Sequence, residues 1–177
     1  MLWIYENNDD NTARFVLGQV FNPEGRTLLC FGINPSTATP DKLDNTIRKV
    51  ISLGRHNGYE NWIMLNVYPQ RATDPCELHA ECDPELVRLN LEHIGRVAER
   101  YPDCDVLLAY GNLIDKRPYL RGCLDDILAL LGDERGKKIK VIRLTKANNP
   151  VHPLYQPNSS NFTAYAAELD KRLAKSK

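Results

Sequence analysis

Short apolar runs alternate with amphipathic segments along most of this chain of 177 residues, and this alternation constrains the fold more than any other feature. The apolar runs are LLCFGI (28–33), WIMLNV (62–67), DVLLAYG (105–111) and KVIRL (140–144). Continuous apolar runs of this length are typical of strands that are buried on both faces of a parallel sheet. The pattern predicts a single domain over residues 1–177 with an α/β fold. We expect three layers, α/β/α, around a four-stranded parallel sheet.

The amphipathic segments predict four helices, over residues 44–58, 84–101, 119–132 and 162–176. Asp44 or Asn45 is expected to cap the first of them. Upstream, RFVLGQVF (14–21) alternates like a half-exposed strand. The turn NPEG (22–25) then predicts an N-terminal β-hairpin between this strand and residues 28–33.

The charge composition limits the classes of partner. Lys and Arg together number 23, and so do Asp and Glu, so the formal net charge is zero. This balance excludes a protein that coats nucleic acid through bulk charge, while a local basic groove stays open. No apolar stretch reaches the ~18 residues of a membrane helix, and the first residues lack the layout of a secretory signal. Five cysteines without an export signal favour reduced thiols and a cytoplasmic protein.

Polar residues follow the predicted strands at their carboxyl ends. Asn34 follows the first strand, Asn66 closes the second, and His152 lies in the loop after the fourth. Doubly wound sheets bind their ligands beyond these ends, so we expect one shared site. Each residue also has a structural interpretation: Asn34 starts a turn, Asn66 bonds to loop backbone and His152 is a surface residue. In that interpretation Arg71 pairs with Asp74.

Four motifs occur in order along the chain: NPSTA (34–38), NTIR (45–48), NVYPQRATDP (66–75) and HPLY (152–155). As a set they resemble a bacterial and phage family known as a domain of unknown function, which in turn is similar to the uracil-DNA glycosylase superfamily. The resemblance implies a uracil-DNA glycosylase-like fold in which Asn34, in GINPS, positions a water against the sugar carbon. It also implies that Asn66, in IMLNV, reads a pyrimidine edge and that His152 lies near the base O2 oxygen. The pair Tyr110-Gly111, in AYGN, is similar to an aromatic-Gly pair at the end of the superfamily's third strand.

These residue types suit the cleavage of an N-glycosidic bond, which builds positive charge on the sugar and negative charge on the leaving base. An Asn amide offers a base edge one donor group and one acceptor, and a His N–H stabilises an oxygen that becomes anionic. The catalytic candidates are Asn34 and His152. The substrate-binding candidates are strand-end polar groups, tyrosines for base stacking and arginines for phosphates: Gly32, Ser36, Arg48, Asn66, Tyr68, Arg71, Tyr110, Asn112 and Tyr155.

The leading hypothesis is a protein that recognises a base in a nucleotide or in DNA and hydrolyses the base–sugar bond. Two alternatives stay open: a nucleotide- or base-binding protein without hydrolysis, and an interaction module of a phage or mobile element with a vestigial pocket. The expected partner is a nucleobase, a nucleotide or DNA, and neither a membrane nor a cofactor is expected. Cys76, His79 and Cys82 have metal-like spacing. Three local ligands do not complete a closed structural site, so no metal is expected either.

Overall fold

A mixed sheet of seven strands runs through the residues that the computed structural model describes, 1–136 and 138–175. The strands are β1 (Leu2–Asn7), β2 (Arg14–Val20), β3 (Thr27–Gly32), β4 (Asn61–Asn66), β5 (Asp105–Leu108), β6 (Ile139–Val141) and β7 (Thr163–Ala164). The helices are α1 (Asn45–His56), α2 (Pro84–Arg100), α3 (Tyr119–Gly136) and α4 (Tyr165–Lys175). Short 3-10 turns occupy Pro75–Glu77, Gly111–Asp115 and Pro153–Tyr155.

The strand order across the sheet is β1-β2-β4-β3-β5-β6-β7. Strand β3 pairs in parallel with both β4 and β5, and β5 pairs in parallel with β6. The remaining strands pair antiparallel: β1 with β2, β2 with β4, and β7 with β6. The α/β class that the alternation predicts is confirmed, and the sheet extends beyond the four expected strands at both edges.

The predicted hairpin between residues 14–21 and 28–33 is wrong. Strand β2 pairs with the preceding strand β1 and with β4, so β4 lies between β2 and β3. The prediction that β2 is half exposed is also wrong, because all seven of its residues are buried. An interior strand is covered on both faces, and a short alternating pattern does not distinguish an interior strand from an edge strand.

Two hydrophobic clusters, one on each face of the sheet, explain the continuous apolar runs. Alternate residues of a strand point to opposite faces, so Leu29 and Phe31 belong to one cluster and Leu28 and Cys30 to the other. Helices α2 and α3 contribute buried residues to the first cluster, and α1 contributes to the second. Each central strand therefore buries both sets of side chains.

The helix boundaries follow local capping chemistry. The Asp44 carboxylate accepts a hydrogen bond from the Ile47 N–H at 2.8 Å, so the predicted cap of α1 is confirmed. Helix α3 is interrupted at Gly132, where φ is 72°. The last helix is predicted to begin at residue 162, but α4 begins at Tyr165. The reason is that Thr163 and Ala164 form strand β7, which pairs with β6. The predicted end of this helix, at residue 176, lies outside the described residues.

Candidate functional site

A cleft of about 400 Å³ opens where β3 and β4 end, beside the first turn of α1. Residues from seven parts of the chain line it: Arg14 from β2; Gly32 at the end of β3 with Ile33, Asn34 and Ser36 after it; Asp44 to Ile47 at the start of α1; Met64 and Asn66 from β4; Ala72, Thr73 and Pro75 from the loop after β4; Leu113 after β5; and His152 with Leu154 from the late loop. The predicted residues Gly32, Asn34, Ser36, Asn66 and His152 therefore lie together. The expectation of one shared strand-end site agrees with this placement.

Asn66 is the most unusual residue of the cleft. Its side chain is fully buried, and neither Oδ1 nor Nδ2 has a hydrogen-bond partner among the described residues. The alternative interpretation, in which this amide bonds to loop backbone, is therefore wrong. A buried polar group without a partner costs about 1–3 kcal/mol, so its retention needs an explanation.

Two neighbouring residues hold Asn66 in this position. On β3, Gly32 is its register partner, and a Cβ at Gly32 would lie 3.2 Å from Asn66 Oδ1 and 2.7 Å from the terminal methyl of Met64. Only a glycine leaves both groups undisturbed. On α2, the buried Asn90 donates from Nδ2 to the backbone carbonyl of Asn66 at 3.0 Å. The side-chain amide of Asn66 thus makes no hydrogen bond among the described residues, while its backbone carbonyl is held by Asn90.

His152 lines the cleft and has one ring nitrogen with a defined hydrogen-bond partner. Its Nδ1 accepts a hydrogen bond from the Leu154 N–H at 3.3 Å, so in the neutral ring the proton is on Nε2. Burial lowers the pKa of His152, and the nearby Asp44 carboxylate opposes that change without reversing it. The ring is therefore neutral at pH 7, with Nε2–H as its donor. Gly111, at a φ of 65°, packs closely against it, since a Cβ there would lie 3.4 Å from His152 Cβ.

Asn34 uses only one end of its amide to hold the loop. Its Nδ2 donates to the carbonyls of Ala72 at 2.8 Å and Pro35 at 3.0 Å. Its Oδ1 has no partner in the described part of the chain, so this atom can accept a hydrogen bond from a water or a ligand. Asn34 therefore bonds to the loop through Nδ2 and also lines the cleft.

Several polar residues at the site were not predicted from the sequence, and two of them are fully buried: Arg14 and Asn90. Arg14 is 2% exposed although it carries a guanidinium group, and it lines the cleft. A charged residue that opens an apolar strand was a signal for it. Asn90 lies four residues from both Leu86 and Ile94, on the inward face of α2. A polar residue at such a position is a detectable signal as well.

Arg71 lies beside the cleft, in a role that the sequence did not suggest. Its Nη1 donates to the Ser36 carbonyl and its Nη2 to the Tyr5 hydroxyl. It does not pair with Asp74, whose carboxylate accepts from the Cys76 N–H at 2.8 Å instead. The proposed ion pair is therefore wrong, and two of the guanidinium nitrogens join the loop after β3, at Ser36, to strand β1, at Tyr5.

The other substrate-binding candidates do not line the cleft. Tyr68 and Tyr110 are buried in the core, and the Tyr68 hydroxyl is hydrogen-bonded to His79 Nδ1 at 2.9 Å. A ring enclosed in the core has no free face for a base, so the stacking role expected of Tyr68 and Tyr110 does not fit their positions. Three further candidates are exposed and do not line the cleft: Arg48, Asn112 and Tyr155.

The Cys76, His79 and Cys82 cluster does not form a metal site in the described residues, where no group of three or more potential ligands is placed to hold an ion. His79 is instead hydrogen-bonded to Tyr68 through Nδ1.

Within the described residues, no helix combines the length and apolar character needed to cross a membrane.

Comparison with known proteins gives one match. A model of the family described as "Protein of unknown function (DUF1643)" matches residues 14–154 of the chain. This range includes every residue that lines the cleft. No curated protein and no solved structure matches the chain.

Proposed function

This chain belongs to the DUF1643 family, and we propose that its cleft recognises a nucleobase, carried by a nucleotide or by DNA. One observation carries the proposal: Asn66 has a fully buried side-chain amide with both polar atoms unpaired at the cleft. An amide that supplies one acceptor and an NH₂ donor complements a base edge that presents an N–H next to a carbonyl. A bound base would supply the two partners that the protein withholds.

Access to Asn66 requires a small movement. In this arrangement the amide has no exposed surface, and the terminal methyl of Met64 lies against the same glycine as Asn66 Oδ1. Met is unbranched and turns readily about its side-chain bonds. Rotation of Met64 is the step that would open the amide to a base.

We further propose that the cleft hydrolyses the bond between base and sugar. His152 offers a neutral Nε2–H donor and Asn34 a free Oδ1 acceptor in the same cleft. In this reaction a water oriented by Asn34 attacks the sugar carbon. The carbon–nitrogen bond breaks with its electron pair going to the base, and His152 donates a hydrogen bond to the base oxygen as charge builds there. The proton that the attacking water loses ends on the released base anion, so the products are the neutral base and the sugar hydroxyl. An amide does not take a proton from water strongly, so we expect slow turnover.

The resemblance to uracil-DNA glycosylases supports both proposals. It rests on the strand-end motifs that contain Asn34, Asn66 and His152, and these three residues line one cleft. The parallel pairing of β4, β3, β5 and β6 is compatible with a glycosylase-like sheet. A role in removing bases during DNA repair is the activity that this similarity favours.

Ligand screening tests base recognition directly. We expect nucleobases, nucleotides or short oligonucleotides carrying one preferred base to raise the melting temperature of the wild-type protein, because they bind only the folded state. The melting temperature of Asn66→Ala should not rise with these ligands. The matched control is Asn7→Ala, an exposed asparagine of β1 outside the cleft, which should keep it. No shift with any base in the wild type would contradict the proposal.

Single-turnover assays separate hydrolysis from binding. Asn34→Ala should slow base release more than it weakens equilibrium binding, because Oδ1 contacts the water and not the base, while loss of the Nδ2 hydrogen bonds loosens the loop. Asn66→Ala should weaken binding and base preference together. Tight binding without base release in the wild type would leave a binding protein and refute the hydrolytic proposal.

A further inference from the structure

Arg14 is a buried cation whose side chain makes few hydrogen bonds to the protein. Its side chain is 2% exposed, at the start of an interior strand. It makes one hydrogen bond within the described residues, from Nη1 to the Ala38 carbonyl at 3.1 Å, and its buried Nε has no partner. A guanidinium has five N–H donors in a planar fork, so most of this capacity is unused.

The charges around Arg14 do not neutralise it. None of the ion pairs found in the described residues includes Arg14. Burial, and after it the charge of Arg71, lowers the pKa of Arg14 to about 10, while Asp44 and then Tyr5 favour the charged form. Arg14 is therefore protonated at pH 7. Buried charges in proteins are normally paired, and an uncompensated one is strongly destabilising.

Arg14 shares the cleft with Asn66. Both residues line it, and so does the first turn of α1, whose N–H groups form the positive end of the helix dipole. Strand β2, which carries Arg14, pairs directly with β4, which carries Asn66. The cleft thus combines an unpaired amide with an unpaired cation.

We propose that Arg14 binds a phosphate group of the ligand, so that the site takes a base attached to a phosphate and not a free base or a nucleoside. This inference rests on the proposed recognition of a base by Asn66. An arginine fork matches two phosphate oxygens, and charge-assisted hydrogen bonds of this kind are stronger than neutral ones. The phosphate supplies a paired counter-charge, since Asp44 lines the same cleft but forms no ion pair with Arg14 among the described residues. Both a nucleoside 5′-monophosphate and a DNA phosphodiester carry this group.

Calorimetric titration of the full chain tests the assignment. The probes are the 2′-deoxynucleoside 5′-monophosphates including the uracil nucleotide, the matching nucleosides, and a five-nucleotide single strand with the preferred base at its centre. Wild-type protein should bind the preferred nucleotide, or the single strand, at least about tenfold more tightly than the nucleoside. In Arg14→Met that ratio should fall to about one, because the phosphate loses its partner. The control is Arg55→Met, at the far end of α1, which should keep the wild-type ratio.

A further variant guards against misfolding. Arg14→Lys keeps the charge but not the fork, and its nucleotide-to-nucleoside ratio should fall by at least about threefold. Equal binding of nucleotide and nucleoside by the wild type, or an unchanged ratio in the Arg14 variants, would overturn the inference and leave base recognition intact. The wild type could instead bind inorganic phosphate, lose that binding in Arg14→Met and show no preference for any base. This result would support phosphate binding by Arg14 and refute base recognition. The tighter of the nucleotide and the single strand identifies the source of the phosphate.

Discussion

Two asparagines at the ends of β4 should respond in opposite ways to replacement by alanine. Asn61 and Asn66 are 1% and 0% exposed. The Asn61 amide donates to the Asn22 carbonyl at 2.6 Å and accepts from the Phe21 and Asn22 N–H groups at 2.8 and 3.1 Å. The Asn66 amide makes no hydrogen bond among the described residues. One amide is structural, and the other is held ready for a ligand.

The expected magnitudes follow from this difference. Asn61→Ala leaves several buried backbone groups unpaired and should lower the free energy of unfolding by at least about 3 kcal/mol. Asn66→Ala removes an unpaired group, so the free energy of unfolding should stay equal or rise by up to about 2 kcal/mol. For a chain of this size, 1 kcal/mol corresponds to about 2–4 °C in melting temperature.

Urea denaturation, with calorimetry alongside, measures both variants against the wild type. The slope with urea should not change, so that a shift of the midpoint reports stability alone. A loss of more than about 1 kcal/mol in Asn66→Ala would show that the amide has a structural partner, and it would refute the argument that this residue is reserved for a ligand.

Three further predictions concern the cleft. His152→Ala should slow base release by about 10²-fold, or about 2.7 kcal/mol, while equilibrium binding changes little, and single-turnover kinetics with a binding isotherm separate the two. Because the folded pKa of His152 lies below its ordinary value of 6.5, its contribution to stability is full above pH 6.5 and is lost as the pH falls toward the folded pKa. Urea denaturation between pH 5 and 8 should therefore show a smaller acid-side loss in His152→Gln, and equal losses in both proteins would argue against a buried neutral ring. Gly32→Ala should weaken ligand binding by about tenfold or more through displacement of Asn66 and Met64, with a stability cost of about 1–3 kcal/mol, and unchanged affinity would show that this close contact is not needed.

The class of the fold and the position of the cleft were predictable from local patterns. Apolar runs and helical spacing identify the central strands and α1, and the strand-end rule brings Asn34, Asn66 and His152 together. The partners of a strand are not encoded locally. The turn after β2 is compatible with a hairpin, yet β4 lies between β2 and β3. No residue within 14–33 indicates that β2 pairs with β4 instead of with β3.

Side-chain environment was the other limit of prediction. Tyr68 stands next to the strand-end motif, but its ring packs into the core. Arg14 belongs to an apolar strand, yet it lines the cleft. The direction of a side chain depends on which neighbouring strands and helices cover it, and this is a property of the assembled sheet. Residues adjacent to a motif were thus over-predicted, and a distant contributor was missed.

The central claim is that the Asn66 amide reads a nucleobase, and nuclear magnetic resonance of the asparagine side-chain amides tests it most directly. The protein, labelled with ¹⁵N, is titrated with the preferred deoxynucleotide, and the Asn66 signals are assigned from Asn66→Ala. If the Asn66 amide binds the base, its Nδ2 resonances should shift and saturate with the binding isotherm, while those of Asn61 at the opposite end of β4 stay in place. A ligand that saturates the protein without moving the Asn66 resonances would contradict the account.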